Sequence, residues 1–523
     1  MKRRFHQHLA PTLVAAIVSL ISITAQADVT LPPVFSDHMV LQRGMKTPVW
    51  GTAAAGEKVA VIFGNQHLET TASPSGAWLV HLESLTAGGP HELTVRSGNT
   101  VTLKDVLVGD VWVGSGQSNM AGNVSTYAKT DPVLAKNAAA GPYAKLRLIK
   151  GKNAWVQATP QEINGFSALL FSFGLELQQK LDVPVGLMLG AVGGTPSGAW
   201  LSETALGNDT ASQRLIAQYA ATFDDTMKRH QVTLAAWEKQ VQQAIKDNKP
   251  VPGKPRDPPP PGTANGNKPG YLYEAHIRHF IPYGIRGVLW DQGESGTAVG
   301  GVDQYTLMGA LIRGWRNEWN QGDFPFIYVQ KPSGMGCAWD KTNPVNTAAD
   351  DFTALPASAP NDAASLSGGI NVETHVRIMS YPNTGMAISS DLGPFTHPVN
   401  KSGYGVRAAT VARGMVFKQD VEYYGPIYKS HSVDGGTVRV EFDHVGKGLA
   451  PAHSEQVQGF AIAGEDKVFH WADAKIDGNS IVLTSAKVAK PVAVRYAFAA
   501  RRTWANLFNK DGLPAVTFRT DHW

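Results

Sequence analysis

Residues 28–105 show the hydrophobic pattern of short β-strands. Apolar positions cluster or alternate with polar ones in Val59-Ala60-Val61-Ile62-Phe63 and in Ala77-Trp78-Leu79-Val80-His81-Leu82, and a Ser73-Pro74-Ser75-Gly76 turn precedes the second run. Helical periodicity is missing from this region, and turn residues separate its runs at short intervals. The pattern predicts an N-terminal β domain, sandwich-like and antiparallel, over residues 28–105.

From residue 106 the pattern changes to apolar strands that alternate with helical segments. Helical patterns at residues 167–181 and 303–319 lie between short apolar runs, which is typical of βαβ units in a mostly parallel sheet. We therefore predict an α/β domain over residues 106–417.

An excursion at residues 205–270 interrupts this predicted domain. Residues 208–247 are polar and favour helix, whereas residues 249–270 include four consecutive prolines at 258–261. Such a proline run excludes a regular helix or a central strand, so we expect a helical segment with an extended return. Residues 418–523 then resume a β pattern, which predicts a C-terminal β domain, also sandwich-like.

The first 27 residues have the pattern of a secretory signal peptide. Lys2, Arg3 and Arg4 precede an apolar run at residues 13–23, and Ala25-Gln26-Ala27 forms a small-x-small cleavage site. The run is shorter than the roughly 20 residues that a bilayer span requires. We expect cleavage after Ala27 and export to the periplasm or the medium.

Composition and charge exclude several classes of function. With 43% hydrophobic and 17% charged residues, the chain is not disordered. Loss of the three leader cations reduces the formal charge from +4 to +1, so we expect no nucleic-acid partner. No apolar run of membrane-spanning length follows residue 27, so we expect no stable membrane anchor.

Metal and cofactor motifs are also missing from the sequence. Cys337 is the only cysteine, which excludes an intramolecular disulfide and a cysteine-rich metal site. Neither a phosphate-binding loop with Lys-Ser/Thr nor a His-Glu-x-x-His pattern occurs. We predict no cofactor and no metal.

Four apolar strands of the predicted α/β domain end in polar loops that contain glycine. Loops at the carboxyl ends of parallel strands converge on one crevice, where ligands bind. The strands are residues 106–113, 185–189, 285–290 and 386–389, and their loops carry Ser118, Gly193 with Gly194, Gln292 with Glu294, and Asp391 with His397.

These loops hold the groups that acyl transfer requires. Ser118 is a candidate nucleophile at a strand–turn–helix position, and His397 is the candidate base. A backbone N–H at Gly193 or Gly194 and the side-chain amide of Gln292 could stabilise an oxyanion. Taken alone, Ser118 also fits a turn or a helix cap.

The motifs also resemble a known family, the sialate O-acetylesterases within the SGNH hydrolases. The resemblance extends over nearly the whole chain after residue 27. It is carried by Gly116-Gln117-Ser118-Asn119-Met120, Gly193-Gly194-Thr195 with Ala199-Trp200, Gln292-Gly293-Glu294-Ser295, His397-Pro398 with Asn400-Lys401, and flanking segments at residues 34–43 and 506–515.

The resemblance implies an SGNH-type (flavodoxin-like) parallel sheet and a metal-independent serine esterase that removes acetyl groups from carbohydrate hydroxyls. It also implies Ser118 as nucleophile and His397 as base. The implied oxyanion hole consists of the Ser118 N–H, a Gly193 or Gly194 N–H, and Gln292.

The sequence departs from the family pattern at two places. Phe395 stands where the family usually has an acid two residues before the histidine, so a Ser-His-Asp triad is in question. We expect a Ser118–His397 dyad whose histidine is oriented by a backbone carbonyl or by another carboxylate, with Asp391 and Glu294 as candidates. Glu274-Ala275-His276 and Gly296 also differ from the family pattern, so substrate preference can differ.

Three functions remain open at this point. The first is removal of acetyl groups from sialic acid, whose carboxylate would call for an arginine such as Arg278, Arg286 or Arg407. The second is the same chemistry on an acetylated polysaccharide such as xylan or xyloglucan. The third is a carbohydrate-binding protein on an inactive esterase scaffold.

Overall fold

A computed structural model of the chain describes residues 28–264, 267–394 and 396–523. The predicted signal peptide and Phe395 lie outside the described residues.

The N-terminal region consists of short strands joined by turns. In β5 (Ala77–Leu82) exposed and buried residues alternate, as expected for a strand with one face on a core. Strand β5 pairs antiparallel with β2, and β3 pairs antiparallel with β4 and β6. The strands are β1 Val40–Gln42, β2 Thr47–Thr52, β3 Lys58–Phe63, β4 Gln66–Thr71, β5 Ala77–Leu82 and β6 Gly88–Arg96.

One long strand, β7 (Thr100–Gly116), continues from this region into the central sheet. Its first half pairs antiparallel with β6, and exposed residues recur there at every second position. From Val106 onward every residue is buried, because the second half lies between parallel neighbours with both faces covered. The predicted boundary between residues 105 and 106 therefore falls inside a continuous strand.

The central sheet has the order β13-β12-β11-β7-β10-β8-β9. All neighbouring pairs are parallel except β8 with β9, which is antiparallel at the edge. The strands that follow β7 are β8 Tyr143–Lys150, β9 Val156–Ala158, β10 Val185–Ala191, β11 Gly287–Asp291, β12 Phe326–Val329 and β13 Thr384–Ala387. The predicted α/β fold class is confirmed.

Helices cover this sheet, and polar caps fix where several of them begin. Ser167 Oγ accepts from the Leu170 N–H at α5, and Asp303 Oδ1 accepts from the Thr306 N–H at α10. The helices are α1 Ser118–Ala121, α2 Val124–Tyr127, α3 Pro132–Ala139, α4 Pro160–Asn164, α5 Ala168–Leu181, α6 Glu203–Asn208, α7 Thr210–Ala221, α8 Phe223–Lys246, α9 Tyr271–His276, α10 Gln304–Trp319, α11 Ala363–Ile378 and α12 Lys401–Met415, with 3-10 turns at Ser197–Trp200 and Arg278–Phe280.

Helices α7 and α8 form the first part of the excursion, and the proline-rich segment returns alongside them. Trp237 Nε1 donates to the Pro252 carbonyl at 2.9 Å, and the Tyr219 hydroxyl donates to the Pro259 carbonyl at 3.2 Å. Although a proline nitrogen has no hydrogen to donate, the proline carbonyls remain available as acceptors for these side chains.

The C-terminal region consists of antiparallel sheets around a hydrophobic core of its own. This core includes Val440, Phe460 and Tyr496. The strands are β14 Ile427–Asp434, β15 Thr437–Asp443, β16 Leu449–Pro451, β17 Phe460–Ala463, β18 Phe469–Trp471, β19 Asp473–Asp477, β20 Ser480–Thr484, β21 Ala493–Tyr496, β22 Leu507–Asn509 and β23 Phe518–Arg519.

Within the described ranges, no helix combines the length and the apolar character needed to cross a bilayer. The same ranges contain no cluster of three or more His, Cys, Asp or Glu side chains arranged to hold a metal ion.

Candidate active site

The predicted nucleophile and base meet at the carboxyl edge of the central sheet. Ser118 follows β7 as the first residue of α1, and His397 lies in the segment between β13 and α12. The distance from His397 Nε2 to Ser118 Oγ is 2.8 Å, which is within hydrogen-bond reach for a nucleophile and its base.

A glycine makes the turn into Ser118 possible. Gly116 has a φ of +127°, and a Cβ there would lie 2.1 Å from the Asp291 carbonyl oxygen. The Gln117 N–H donates to that same carbonyl at 2.9 Å. The chain can therefore pass this close to β11 and present Ser118 at the edge of the sheet only with glycine at position 116.

Gly193 presents its Cα hydrogen towards Ser118, whereas the corresponding position on Gly194 faces open space. A Cβ on Gly193 would be 3.5 Å from Ser118 Cβ, whereas a Cβ on Gly194 would have no atom within 4 Å. Gly194 has a φ of +74°, a left-handed conformation that suits glycine. Of the two predicted glycines, Gly193 is the one for which a contact with Ser118 is observed, and which N–H serves as an oxyanion donor stays a prediction.

Gln292, the third predicted oxyanion donor, is buried and engaged with other groups. Its Nε2 donates to the Gly296 carbonyl at 3.0 Å and to the Thr195 carbonyl at 3.4 Å, and its Oε1 accepts from Ser197 Oγ at 2.5 Å. In this structure the amide ties the loop after β10 to the loop after β11, and its role as an oxyanion donor stays a prediction.

A buried ion cluster lies next to the loop that carries Ser118, the predicted nucleophile; residues 117–119 are called the nucleophile loop. Lys331 Nζ is 2.7 Å from Asp291 Oδ1 and 2.9 Å from Glu294 Oε1. Burial opposes the charge on Lys331, but the two carboxylates raise the pKa of its ammonium. Burial likewise opposes the charge on Glu294, but Lys331 holds its pKa below the ordinary value, whereas burial raises the pKa of Asp291.

Glu294 braces the nucleophile loop. Its carboxylate accepts hydrogen bonds from the Gln117 side-chain amide and, at 3.2 Å, from Asn119 Nδ2. These two residues flank Ser118 in the chain, so Glu294 acts on both sides of the serine.

Asp391, the other candidate for orienting His397, is held by an arginine. Its Oδ1 accepts from Arg407 Nη1 at 3.0 Å, and its Oδ2 accepts from Arg407 Nη2 at 2.8 Å and from Asn346 Nδ2 at 2.6 Å. Among the described residues, neither Asp391 nor Glu294 forms a hydrogen bond to His397. The expectation that one of them orients the imidazole gains no support from these contacts.

Sequence reasoning missed Lys331, although a signal for it was present. Residues 326–329 form an apolar strand followed by Gln330-Lys331-Pro332-Ser333-Gly334, the same arrangement as at the four strand ends that were singled out. This fifth loop contributes Lys331. Among the described residues, Lys331 is the only buried cation that forms ion pairs with both Asp291 and Glu294.

Comparison with known proteins places this site in a family. A family model described as carbohydrate esterase, sialic acid-specific acetylesterase, matches residues 108–242. A carbohydrate acetylesterase from Xanthomonas citri, known from a crystal structure, is 30% identical in sequence to this chain. The match covers 95% of this chain and 100% of the Xanthomonas chain, and the two structures superpose with a TM-score of 0.73. The chain belongs to the sialate O-acetylesterase family.

Two sialate O-acetylesterases are similar over most of their length. The enzyme from Mus musculus is 26% identical over 546 residues, which cover 94% of this chain and 93% of the mouse protein. The enzyme from Homo sapiens is 25% identical over 470 residues, which cover 80% and 78% of the two chains. As a member of the sialate O-acetylesterase family, this chain is a carboxylic ester hydrolase.

Two segments that differ from the usual sialate O-acetylesterase pattern lie close to the site. Residues 274–276 end helix α9, and the His276 carbonyl packs against Gly190, where a Cβ would approach that oxygen to 2.5 Å. The Gly296 carbonyl accepts from Gln292 Nε2 and from Ser197 Oγ. Both departures therefore adjoin the loops that surround Ser118.

Proposed function

We propose that this protein removes O-acetyl groups from carbohydrate hydroxyls through an acetyl-enzyme on Ser118. The hydrogen bond between His397 Nε2 and Ser118 Oγ, at 2.8 Å and beside Gly193, carries this proposal. Membership of the sialate O-acetylesterase family supports the acetyl ester as the bond that is cleaved.

In the first half of the proposed reaction, His397 Nε2 takes the proton from Ser118 Oγ as the oxygen attacks the acetyl carbonyl carbon. Backbone N–H groups of Ser118 and Gly193 are the candidates to stabilise the oxyanion. The intermediate collapses, the bond to the sugar oxygen breaks, and that oxygen takes the proton from His397.

In the second half, His397 removes a proton from water, and the resulting hydroxide attacks the acetyl group on Ser118. Acetate leaves, and Ser118 Oγ recovers a proton from His397. No step consumes a metal ion or a redox cofactor.

Turnover of p-nitrophenyl acetate by Ser118→Ala and His397→Ala variants tests this mechanism. Each variant should lose activity by about 10³-fold or more. Ser125→Ala and His67→Ala, at exposed positions on α2 and β4, are the matched controls and should retain full activity. Unchanged turnover in Ser118→Ala would refute the nucleophile, and a trapped acetyl group on Ser118 in rapid-quench mass spectrometry would support it.

A cavity of about 620 Å³ lies beside the loop that carries Glu294, and Ser118 and His397 are not among the residues that line it. Asn371, Thr374 and Arg377 of α11 contribute to its lining. Its volume is sufficient for a sugar unit, so it is a candidate for binding a part of the substrate away from the acetyl group.

Two substrate classes make different demands on this cavity. Of the arginines predicted to read a sialate carboxylate, Arg286 and Arg407 pair with the buried carboxylates Asp110 and Asp391, and Arg278 lies 3.8 Å from Glu318. The engagement of Arg286 and Arg407 favours an acetylated neutral polysaccharide as a second candidate. Recognition of a sialate would depend instead on an arginine such as Arg377, which lines the cavity and lies over the Tyr305 ring at 4.6 Å.

An Arg377→Gln variant separates the two substrate classes. If the substrate is O-acetyl sialate, kcat/KM should fall by about tenfold or more for that compound and stay unchanged for acetylated xylo-oligosaccharide. If the substrate is a neutral polysaccharide, the wild-type protein should prefer the oligosaccharide and the variant should keep that preference. Arg439→Gln, at an exposed pair with Asp477, is the control.

We also propose that the protein is exported after removal of residues 1–27. N-terminal sequencing of the protein recovered from a periplasmic fraction should begin at Asp28. Recovery of a chain that still begins at Met1 would contradict the proposal.

A further inference from the structure

Besides the hydrogen bond between His397 and Ser118, a side-chain amide connects the histidine segment to the loop that carries Ser118. Thr396 and His397 are exposed, but the Thr396 carbonyl accepts a hydrogen bond from Asn119 Nδ2 at 2.9 Å. Asn119 directly follows Ser118 in the chain. The residue after the nucleophile therefore holds the backbone immediately before the proposed base.

The Asn119 side chain is buried, and its hydrogen bonds allow one orientation only. Nδ2 donates to Thr396 and to Glu294 Oε1, and Oδ1 accepts from Lys401 Nζ at 2.7 Å. A flipped amide would bring its NH₂ group against the lysine donor and its oxygen against a carbonyl and a carboxylate. Lys401 thus determines which way Asn119 points.

Lys401 is itself fixed at the start of α12. Asn400 caps this helix by accepting from the Gly403 N–H at 2.9 Å, and Asp131 accepts from the Ser402 N–H at 2.8 Å. The Lys401 ammonium nitrogen lies 4.4 Å from the centre of the Tyr127 ring. The lysine has little freedom to move away from Asn119.

The charge environment of Lys401 differs from that of Lys331. Lys401 forms no ion pair with an acidic side chain of the described residues, and burial lowers its pKa to about 7, opposed by the more distant charges of Asp291 and Glu294. A neutral amine still donates N–H, so the bond to Asn119 is available in either protonation state.

We infer that Asn119 and Lys401 are positioning residues that hold His397 in line with Ser118. The hydrogen bond from Asn119 fixes the backbone before the histidine, and Pro398 restricts the backbone conformation of His397 from the other side. Lys401 acts through Asn119. This inference rests on the proposed function, because it assigns these residues to the geometry of the same Ser118–His397 pair.

The chemistry requires such a device because no carboxylate of the described residues holds the imidazole. Misplacement of a catalytic group by about 1 Å can lower a rate by about 10²-fold. Asn119→Leu and Lys401→Met should therefore lower kcat for p-nitrophenyl acetate by about 10-fold to 100-fold with little change in KM. Lys129→Met, at an exposed position, is the control for the lysine variant.

Conservative variants separate hydrogen bonding from side-chain volume. Asn119→Asp keeps the acceptor for Lys401 but loses the donor to Thr396, so it should be as slow as Asn119→Leu. Lys401→Gln keeps a donor for Asn119 and should recover part of the activity lost in Lys401→Met. Full activity in Asn119→Asp would overturn the inference. If Asn119→Leu does not fold, this pair of variants still tests it.

A double-mutant cycle gives the deciding measurement. If Asn119 acts through the histidine, Asn119→Leu should change the residual rate of His397→Ala by less than about twofold. An equal loss in both backgrounds would mean that Asn119 acts independently of His397, and the inference would be wrong. His397→Ala alone reports on the proposed function: if that variant retains full activity, the mechanism fails before the positioning residues are tested.

Discussion

The loop that carries Ser118 and the segment that carries His397 are held in very different ways. Around Ser118 the backbone is fixed by Gly116, and the side chains of Gln117 and Asn119 are bonded to Glu294. Around His397 the side chain is exposed, and its segment is tied to the nucleophile loop through Asn119. One partner of the proposed dyad is half-buried on a loop tied to buried charges, and the other is exposed.

The difference indicates where each kind of substitution will act. Changes beneath the serine should cost folding stability, because they disturb buried charges and close backbone contacts. Changes to the exposed residues next to the histidine, such as Thr396, should alter the rate more than the stability, because their side chains are in contact with solvent.

The largest effect should come from the glycine in front of the nucleophile. Gly116→Ala would force a Cβ to within 2.1 Å of the Asp291 carbonyl at a φ of +127°, so we expect a loss of about 4 kcal/mol or more in the free energy of unfolding. Gly393, on the histidine side, has a φ of +110° and looser contacts, at 2.9 Å or more, so Gly393→Ala should cost only about 2 kcal/mol. Urea denaturation of both variants measures the difference, and equal losses would contradict the contrast between the two segments.

The two buried lysines sharpen the same comparison. Lys331→Met leaves Asp291 and Glu294 without their cation and should lower the free energy of unfolding by about 3–5 kcal/mol. Lys401→Met removes a buried cation that has no acidic partner in direct contact but leaves Asn119 Oδ1 without its donor, so we expect a smaller loss, of about 2 kcal/mol. Thermal unfolding near pH 7 compares them, and a greater loss in Lys401→Met would show that the environments have been assigned wrongly.

Asp391 tests whether a buried carboxylate on the histidine side serves stability or catalysis. Because Asp391 binds Arg407 through both oxygens, Asp391→Asn should lower the free energy of unfolding by about 3 kcal/mol. The kcat of the folded variant should change by less than about threefold. A fall in kcat by orders of magnitude would instead restore Asp391 as the group that orients His397.

A pH-dependent effect is expected from His375, which lies beside Gly293 together with Lys331. Burial lowers the pKa of His375 to about 4, from an ordinary value of 6.5. Between these values the unfolded chain binds the proton and the folded chain does not, so stability falls as the pH falls from 6.5 towards 4.

His375→Gln should remove this contribution. Between pH 7 and pH 5 the variant should lose about 2 kcal/mol less free energy of unfolding than the wild-type protein. Urea denaturation at the two pH values measures the difference. Identical pH dependence in both proteins would mean that His375 is not the group responsible.

Much of the site could be predicted from the sequence because the end of a buried strand can be recognised from a few neighbouring residues. An apolar run followed by a glycine-containing polar loop can be read without knowing the fold, and the parallel topology brings those loops together. This reasoning places Ser118 and His397 at one edge of the sheet, and the structure has them 2.8 Å apart.

The partners of the polar side chains were not predictable in the same way. Whether Gln292 bonds to a substrate or to the Gly296 carbonyl depends on contacts between separate loops. The pairing of Asp391 with Arg407 depends on how α12 packs against the loop after β13. The pattern of apolar and polar residues along the chain does not predict such pairings. A polar side chain in a loop has the same pattern around it whichever group it bonds to in the folded protein.

Because β7 is continuous from Thr100 to Gly116, a cut near residue 106 would divide one strand between two fragments. At about 3.3 Å per residue its 17 residues span roughly 55 Å, with the N-terminal sheet along one half and Ser118 just beyond the other end. A truncated fragment that starts near residue 106 would lose the antiparallel half of its own central strand, together with the pairing of β1 and β6 along it. We therefore expect that the region that carries Ser118 and the N-terminal region fold together and have to be expressed as one chain.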